Sequence, residues 1–263
     1  MTTKVVRGIR SEELGRVGGL KRQLDQLYLK VNKPEFIQVD PVKFVHRYKA
    51  KQDREIAAFL AATIAWGRRD LILKSAEKIF ALMGSSPYGF VMEGNYRKLK
   101  DRGSSLYRTF FEGDFLYFCR GLKACYTKYG SLEALFAAAS DIWESLILFR
   151  ETMAAGNKGL YNKHIADGAS SSACKRLNLA LRWLIRREGP VDLGLWKSIS
   201  PASLYIPLDL HVGRTARYLG LLERRANDRK AVFALTERLR EFCPEDPVKY
   251  DLALFGYSVG NTL

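Results

Sequence analysis

Lys175 and Asp209 carry the groups that could do covalent chemistry in this chain. Lys175 opens the run Cys174-Lys175-Arg176-Leu177-Asn178-Leu179-Ala180-Leu181-Arg182-Trp183, just after a Ser/Gly-rich loop, so it falls in the first turn of a helix over 173–187. Asp209, in Pro207-Leu208-Asp209-Leu210-His211-Val212-Gly213-Arg214, stands at the mouth of a helix over 210–220. An Asp there is held anionic by backbone N–H groups and the helix dipole, and can stabilise a nearby cation. A Lys desolvated against apolar neighbours can lose its proton and become an amine nucleophile. The two types together suit glycosidic cleavage through a sugar oxocarbenium ion. Each also has a plainer reading, Asp209 as a simple helix cap and Lys175 as a solvated or phosphate-bound cation.

Other chemistries lack their residues. His46, His164 and His211 have no second carboxylate or thiol at ligand spacing, and Cys119, Cys125, Cys174 and Cys243 form no paired motif. No Gly-rich phosphate loop and no G-x-S-x-G elbow occurs. Neither a metal nor an organic cofactor is expected, and the cysteines are read as ordinary thiols of a reducing compartment.

The elements that position these residues read as helices throughout. Leu20, Leu24, Leu27 and Val31 share one helical face, with Pro34 beyond its end. Asp40-Pro41 opens a short helix through Tyr48, Asp53 is placed to cap the run from Glu55 to Trp66, and Asp70 to open a helix stopped by Gly84. Asp114, Ser131 and Asp141 precede apolar-periodic stretches over 115–129, 132–139 and 142–154. Asp228 and Asp246-Pro247 open helices over 229–242 and 247–258. Few segments alternate with period two, so the expected fold is all-α, about ten short helices. The polar stretches 93–105 and 156–172 read as loops. Residues 1–39 are set apart as an N-terminal arm, and 40–263 as the helical domain.

The 263 residues hold 43 Lys+Arg against 28 Asp+Glu, a net charge of +15. By segment it is +6 over 1–50, +5 over 51–110, −1 over 111–170 and +5 over 171–263. An excess so distributed points to a polyanion, most simply nucleic acid, since Lys and Arg gain affinity by releasing phosphate counterions. An apolar fraction of 47% with 12% aromatics excludes disorder as the main state. No apolar run approaches the roughly 20 residues of a membrane span, and the N-terminus lacks the apolar core of a secretory signal, so a cytoplasmic location is expected.

In order, these blocks resemble the helix-hairpin-helix DNA glycosylase superfamily, the endonuclease III and 8-oxoguanine glycosylase relatives. Asp209 to Leu221 (DLHVGRTARYLGL) looks like that superfamily's V-D-T-H-V-x-R-V-x-x-R-L-G-L stretch, and Lys175 to Leu181 (KRLNLAL) resembles the K-T-A-N-V-V-L run of the lyase lysine. Glu55 to Ala65 is similar to the early helix E-L-L-I-A-V-L-L-S-A-Q, and Leu252 to Gly256 to the late L-I-L-H-G helix. The KRLN, LRW, PLD-H and DPVKYD blocks also resemble a bacterial family of unassigned function. Two departures stand out. Lys175 and Asp209 lie 34 residues apart where common members have roughly twenty, a spacing nearer that of the archaeal 8-oxoguanine branch. The hairpin's L-P-G-x-G is replaced by Ser170-Ser171-Ser172-Ala173-Cys174, residues that could approach a phosphate only in a different turn. Lys197 is a fallback lysine.

The resemblance implies a base-excision glycosylase on duplex DNA, a monomer with β-lyase activity, removing a damaged base such as an oxidised purine. Lys175 and Asp209 would be catalytic. Trp66, Arg68, Arg69, Ser172, Arg176, His211 and Arg214 would contact DNA, with Trp66 entering the gap left by a flipped nucleotide or serving only as a helix-end core residue. Phe110, Phe115, Tyr117 and Phe118 read as core. Two alternatives stay open: a nucleic-acid-binding protein that keeps the scaffold without catalysis, and base hydrolysis by Asp209 with water as nucleophile.

Overall fold

A computed structural model of the protein describes residues 17–259. The described residues form thirteen α-helices and one small β-hairpin. The N-terminal half comprises α1 (Val17–Val31), α2 (Pro34–Val39), α3 (Lys43–His46), α4 (Lys51–Ile64), α5 (Arg69–Met83) and α6 (Pro87–Met92). After β1 (Ser105–Tyr107) and β2 (Phe110–Phe111) come α7 (Glu112–Tyr129), α8 (Leu132–Ala137) and α9 (Ile142–Ala155). The last four helices are α10 (Lys175–Ile185), α11 (Leu210–Tyr218), α12 (Arg229–Arg240) and α13 (Tyr250–Val259). The all-α expectation holds. The antiparallel hairpin is an addition to it, too short for period-two alternation to show; its turn puts Arg108 in the left-handed region at φ 49°.

Helix α4 is the central element. Every residue from Glu55 to Ile64 is buried, and the small residues Ala57, Ala58, Ala61 and Ala62 let α10 pack closely on it. Phe59, Phe136, Phe149 and Trp196 stack beneath it at centroid separations of 4.8–6.4 Å. Each such ring contributes about 1.5–3 kcal/mol by burial. Phe110, Phe115, Tyr117 and Phe118 are core residues, as read from sequence.

Helix starts follow the capping signals where the cap is a direct neighbour. Ser131, Asp141, Asp209 and Asp228 each accept the backbone N–H three residues on. Other acids behave differently from expectation: Asp70 lies in the first turn of α5, which starts at Arg69, and Asp40 stands ahead of α3, which starts at Lys43 with Val42 as its cap. Helix α4 starts earlier, at Lys51, so Asp53 lies inside its first turn; the carboxylate instead accepts from Ser86 Oγ and the Tyr88 N–H, fixing the start of α6. Helix α7 likewise starts before Asp114, whose carboxylate reaches back to the Phe111 N–H at 2.8 Å. Both positions suit the dipole, so sequence alone does not separate cap from first turn. Residues 95–98 form one 3-10 turn inside the expected loop 93–105, and 247–249 another ahead of α13.

The described part of the N-terminal segment is not detached. Helix α1 buries Leu20, Leu24, Tyr28 and Val31 in the common core and packs along α13. There Gly256 is required, since a Cβ would stand 2.4 Å from Val31 Cγ2. Residues 1–16 lie outside the described residues.

The 34-residue interval between Lys175 and Asp209 is a wrap that leaves α10 and crosses the core. Leu193 and Trp196 donate backbone N–H groups to Trp183 and Leu184 oxygens, and Trp196 Nε1 donates to Glu55 at 2.8 Å. Glu133 then accepts from Lys197 N, Ser198 N and Ser198 Oγ, and pairs with Lys51. Burial works to raise its carboxyl, but those donors outweigh it and hold the group at about 2. With the folded value below that of a free Glu carboxyl, this stabilisation is complete above about pH 4.5 and is lost as the pH falls toward 2. Glu133→Gln is therefore expected to cost roughly 2–3 kcal/mol at pH 7 and much less at pH 3, read as melting temperature against pH. A deficit independent of pH would assign the loss to packing instead.

Candidate active site

Helix α10 brings Lys175 to the C-terminal end of α4, and that end dictates what the lysine meets. Helix α4 stops at Ile64, leaving carbonyls without helical partners. Lys175 Nζ donates to Ala65 O at 2.8 Å, and Arg176 Nη1 to Thr63 O at 3.0 Å. Lys175 occupies the first position of α10, and its N-cap Cys174 is in the left-handed region (φ 47°, ψ 33°), a conformation glycine adopts without cost. Cys174 is buried, which pushes its thiol up to about 11, so it is a backbone pivot and not a nucleophile.

Asp209 caps α11, accepting the Val212 N–H at 2.9 Å, while Asn227 Nδ2 fixes the Asp209 carbonyl. Its Oδ2 lies 3.8 Å from Lys175 Nζ. The pair lines a cavity of about 600 Å³ that also exposes Trp66, Arg69, Asp251 and Phe255 in its wall. Burial lowers the Lys175 ammonium from its ordinary value, against the opposing pull of Asp209, Asp251 and Asp40. A less basic amine beside a carboxylate can hold and release a proton at Nζ.

Residues not singled out from sequence complete this wall. Lys175, Leu179 and Arg182 follow the i, i+4, i+7 spacing on α10, so one face presents all three to the cavity. Asp251 pairs with Arg182, and burial pushes its carboxyl up to about 6. Asp40, at the start of the 40–42 turn, accepts the Val42 N–H at 3.0 Å and is likewise raised by burial. The α10 periodicity could have found Arg182. Asp251 gave only the weak signal of an acid before an apolar run.

A second cavity of about 730 Å³ shares Trp66 and Lys175 with the first and opens beside the Ser171–Cys174 turn. Trp66 is half-buried in the common wall, edge-on to Tyr107 at 5.5 Å and under the Arg108 guanidinium at 4.7 Å. Tyr107 Oη donates to the Trp66 carbonyl. Arg69 lies over the Phe255 ring at 5.3 Å, whereas Arg68 projects outward and pairs with Asp70. His211 is exposed on the first turn of α11 beside Ser258 (3.0 Å), and Arg214 is exposed one turn on. Arg176 is turned inward, 3.5 Å from His164 Nδ1. Since His164 Nε2 faces the Thr109 carbonyl at 2.8 Å and burial lowers its pKa, the ring is neutral with Nδ1 free to accept.

The 170–174 turn differs from a glycine hairpin in a specific way. The N–H groups of Ala169 and Ser170 are taken by Asp167 just ahead of it, those of Ser172 and Cys174 by the Ser170 and Ser172 hydroxyls, and Ser172 is bridged to Asp228. The fallback Lys197 does not face Lys175; its Nζ donates to Gly194 O at 2.6 Å and its backbone to Glu133.

Among the described residues no group of His, Cys, Asp and Glu could hold a metal ion, and no helix is long and apolar enough to cross a membrane. No curated protein and no solved structure matches the chain. One family does, over residues 40–260: the chain belongs to the DUF2400 family, described as a protein of unknown function.

Proposed function

We propose that the protein is a helix-hairpin-helix type DNA glycosylase with β-lyase activity, acting on a damaged base in duplex DNA. The observation that carries this reading is the 3.8 Å approach of Lys175 Nζ to Asp209 Oδ2 at the mouth of a cavity. The basic charge of the segments on either side supports a polyanionic substrate.

In this reading the Asp209 carboxylate stabilises the cation developing on the sugar as the base leaves, and then takes a proton from the Lys175 ammonium so that Nζ can attack. The C1′–N bond breaks, its electron pair leaving with the base, and the Nζ lone pair forms the new bond to C1′. Ring opening puts a proton on O4′ and gives a C1′=N Schiff base. Loss of a C2′ proton then expels the 3′ phosphate with the C3′–O electron pair. Water releases the lysine at the end. The Ala65 carbonyl holds Nζ at the cavity until the substrate displaces it. Trp66 stacks in the gap left by the flipped nucleotide, since its place in the wall shared by both cavities puts it beside Lys175. Arg68, Arg69, His211 and Arg214 meet the phosphates. Arg176 and Ser172 act by shaping the turn.

Borohydride reduction during incubation with abasic or 8-oxoguanine duplexes is expected to leave a covalent protein–DNA adduct through Lys175. Base release without any adduct would favour water as nucleophile. Binding with neither would leave a nucleic-acid-binding protein.

A further inference from the structure

We propose that the cleft between α7 and α9 is a docking site for an acidic, amphipathic helix of a partner protein. The cleft, about 910 Å³ in volume, shares no lining residue with either cavity beside Lys175, so the inference stands apart from the glycosylase reading.

Its shape follows from how the two helices pack. They touch at Gly156, where a Cβ would stand 2.8 Å from Ala124 Cβ, so the longer side chains on either side rise as walls above a shallow floor. Leu116, Arg120, Lys123 and Thr127 follow the i, i+4, i+7, i+11 spacing along one face of α7, and Leu148, Thr152 and Ala155 the i, i+4, i+7 spacing of α9. From Leu116 to Lys128 the lining is about 18 Å long, room for about three turns of another helix. Leu99, Leu116 and Leu148 are only half-buried in its wall. Beyond Gly156 the apolar strip continues: Leu160 and Tyr161 are 68% and 52% exposed, and Tyr161 Oη reaches the cleft by donating to both Glu151 oxygens at 2.9 Å. Exposed leucines gathered in one strip mark a surface that another protein covers.

The charge of the lining names the partner's polar face. Arg97, Arg120, Lys123 and Lys128 stand against the single acid Glu151, and none of the four cations pairs with a carboxylate among the described residues. Two of them are held in place by neutral groups. Arg120 Nε donates to Asn157 Oδ1 at 2.7 Å, and Asn157 is itself buried and fixed by the Tyr117 and Met153 carbonyls, so the two terminal nitrogens of the guanidinium stay free for a carboxylate. Lys123 Nζ donates to the Met92 carbonyl at 2.5 Å. A helix with apolar anchors at i, i+3, i+4 and i+7 and Glu or Asp on its flanks uses both the leucines and the cations. A nucleic acid uses only the cations and leaves the leucines against water. It also lacks rings to stack on, since Tyr96 is 4% exposed and one face of Tyr161 is covered by the Arg150 guanidinium at 3.9 Å.

The test titrates the full chain into a fluorescein-labelled synthetic helix of about 18 residues, with leucines on one face and glutamates on the other, and reads anisotropy. Saturable one-to-one binding that weakens as salt is raised is expected. Glutamine in place of the glutamates, or serine in place of the leucines, should each weaken it at least tenfold. The double variant Arg97→Glu/Lys128→Glu, two exposed positions, should lose at least tenfold for the acidic helix and gain as much for a helix carrying lysines instead, a reversal that a damaged fold does not produce. Its melting temperature and its nicking of abasic duplex should match the wild type. The peptide arms need no catalysis, so they decide even where the glycosylase reading fails. Absence of saturable binding, equal binding of the three helices, or a double variant without the reversal would overturn the inference. So would a double variant that keeps its peptide affinity but binds undamaged duplex DNA more weakly and with a shallower salt dependence, which would make the cleft a nucleic-acid contact.

Discussion

Lys175→Ala is expected to abolish the borohydride-trapped adduct on abasic DNA, and Asp209→Asn to slow its formation by roughly 10²–10⁴-fold while leaving the fold intact. The two substitutions separate chemistry from structure because the residues hold different structural jobs. Asp209 caps α11 through Oδ1, and Asn caps nearly as well, so the Val212 hydrogen bond survives the exchange. What disappears is the negative charge 3.8 Å from Nζ, together with the proton acceptor. Melting temperature should barely change. Lys175→Ala removes the only proposed attacking atom, so no slower covalent route through the same position exists. It also frees the Ala65 carbonyl, which water at this half-open position can satisfy. An undiminished adduct in Lys175→Ala would move the nucleophile elsewhere. Lys197 would not be the first alternative, since it does not line the cavity that holds Asp209. An Asp209→Asn protein with wild-type trapping would reduce Asp209 to a helix cap.

The parts of this site that sequence reveals are those set by local rules. A Ser-rich loop followed by KRLNLALRW marks the start of α10, and Pro207-Leu208-Asp209 marks the start of α11; both lie at the expected positions. All-α architecture follows from helical periodicity in the same way. The proximity of Lys175 and Asp209 is not local. It depends on a wrap held by Trp196 on Glu55 and by Glu133 on Lys197 and Ser198, contacts between residues 64–141 positions apart. No periodicity encodes such pairings. Asp40 reads as the opening of a helix, yet α3 starts at Lys43 with Val42 as its cap, and the place of Asp40 in the cavity wall is not legible, for the same reason. Asp53 and Asp114 show a second limit: an acid is favourable both at a cap and in the first turn, so the signal locates a helix start only to within a turn. The 170–174 turn shows a third. Ser and Ala replace glycines, yet Cys174 still takes the left-handed conformation, since the bridge to Asp228 and the packing of α10 hold it there.

Arg186→Met is expected to be the most destabilising single change outside the apolar core, by about 3–5 kcal/mol, or roughly 10 °C in melting temperature. Arg186 is fully buried, bonded to Asp246 at 2.8 Å, to Asp192, and to Tyr28 Oη at 3.2 Å. Asp192 in turn pairs with Arg182, and Arg182 with Asp251 in the cavity wall. The ladder thus runs from α1 to the Lys175–Asp209 site. Met fills much of the volume but strands Asp246 without a cation and removes one of two from Asp192. The cost lies in the stranded charge rather than in the lost attraction, which has two measurable consequences. Adding Asp246→Asn should recover part of the loss, as coupled sites do, and the single variant's deficit should shrink at acid pH, where the stranded carboxyl takes up a proton. Purely additive effects with no pH dependence would assign the loss to packing.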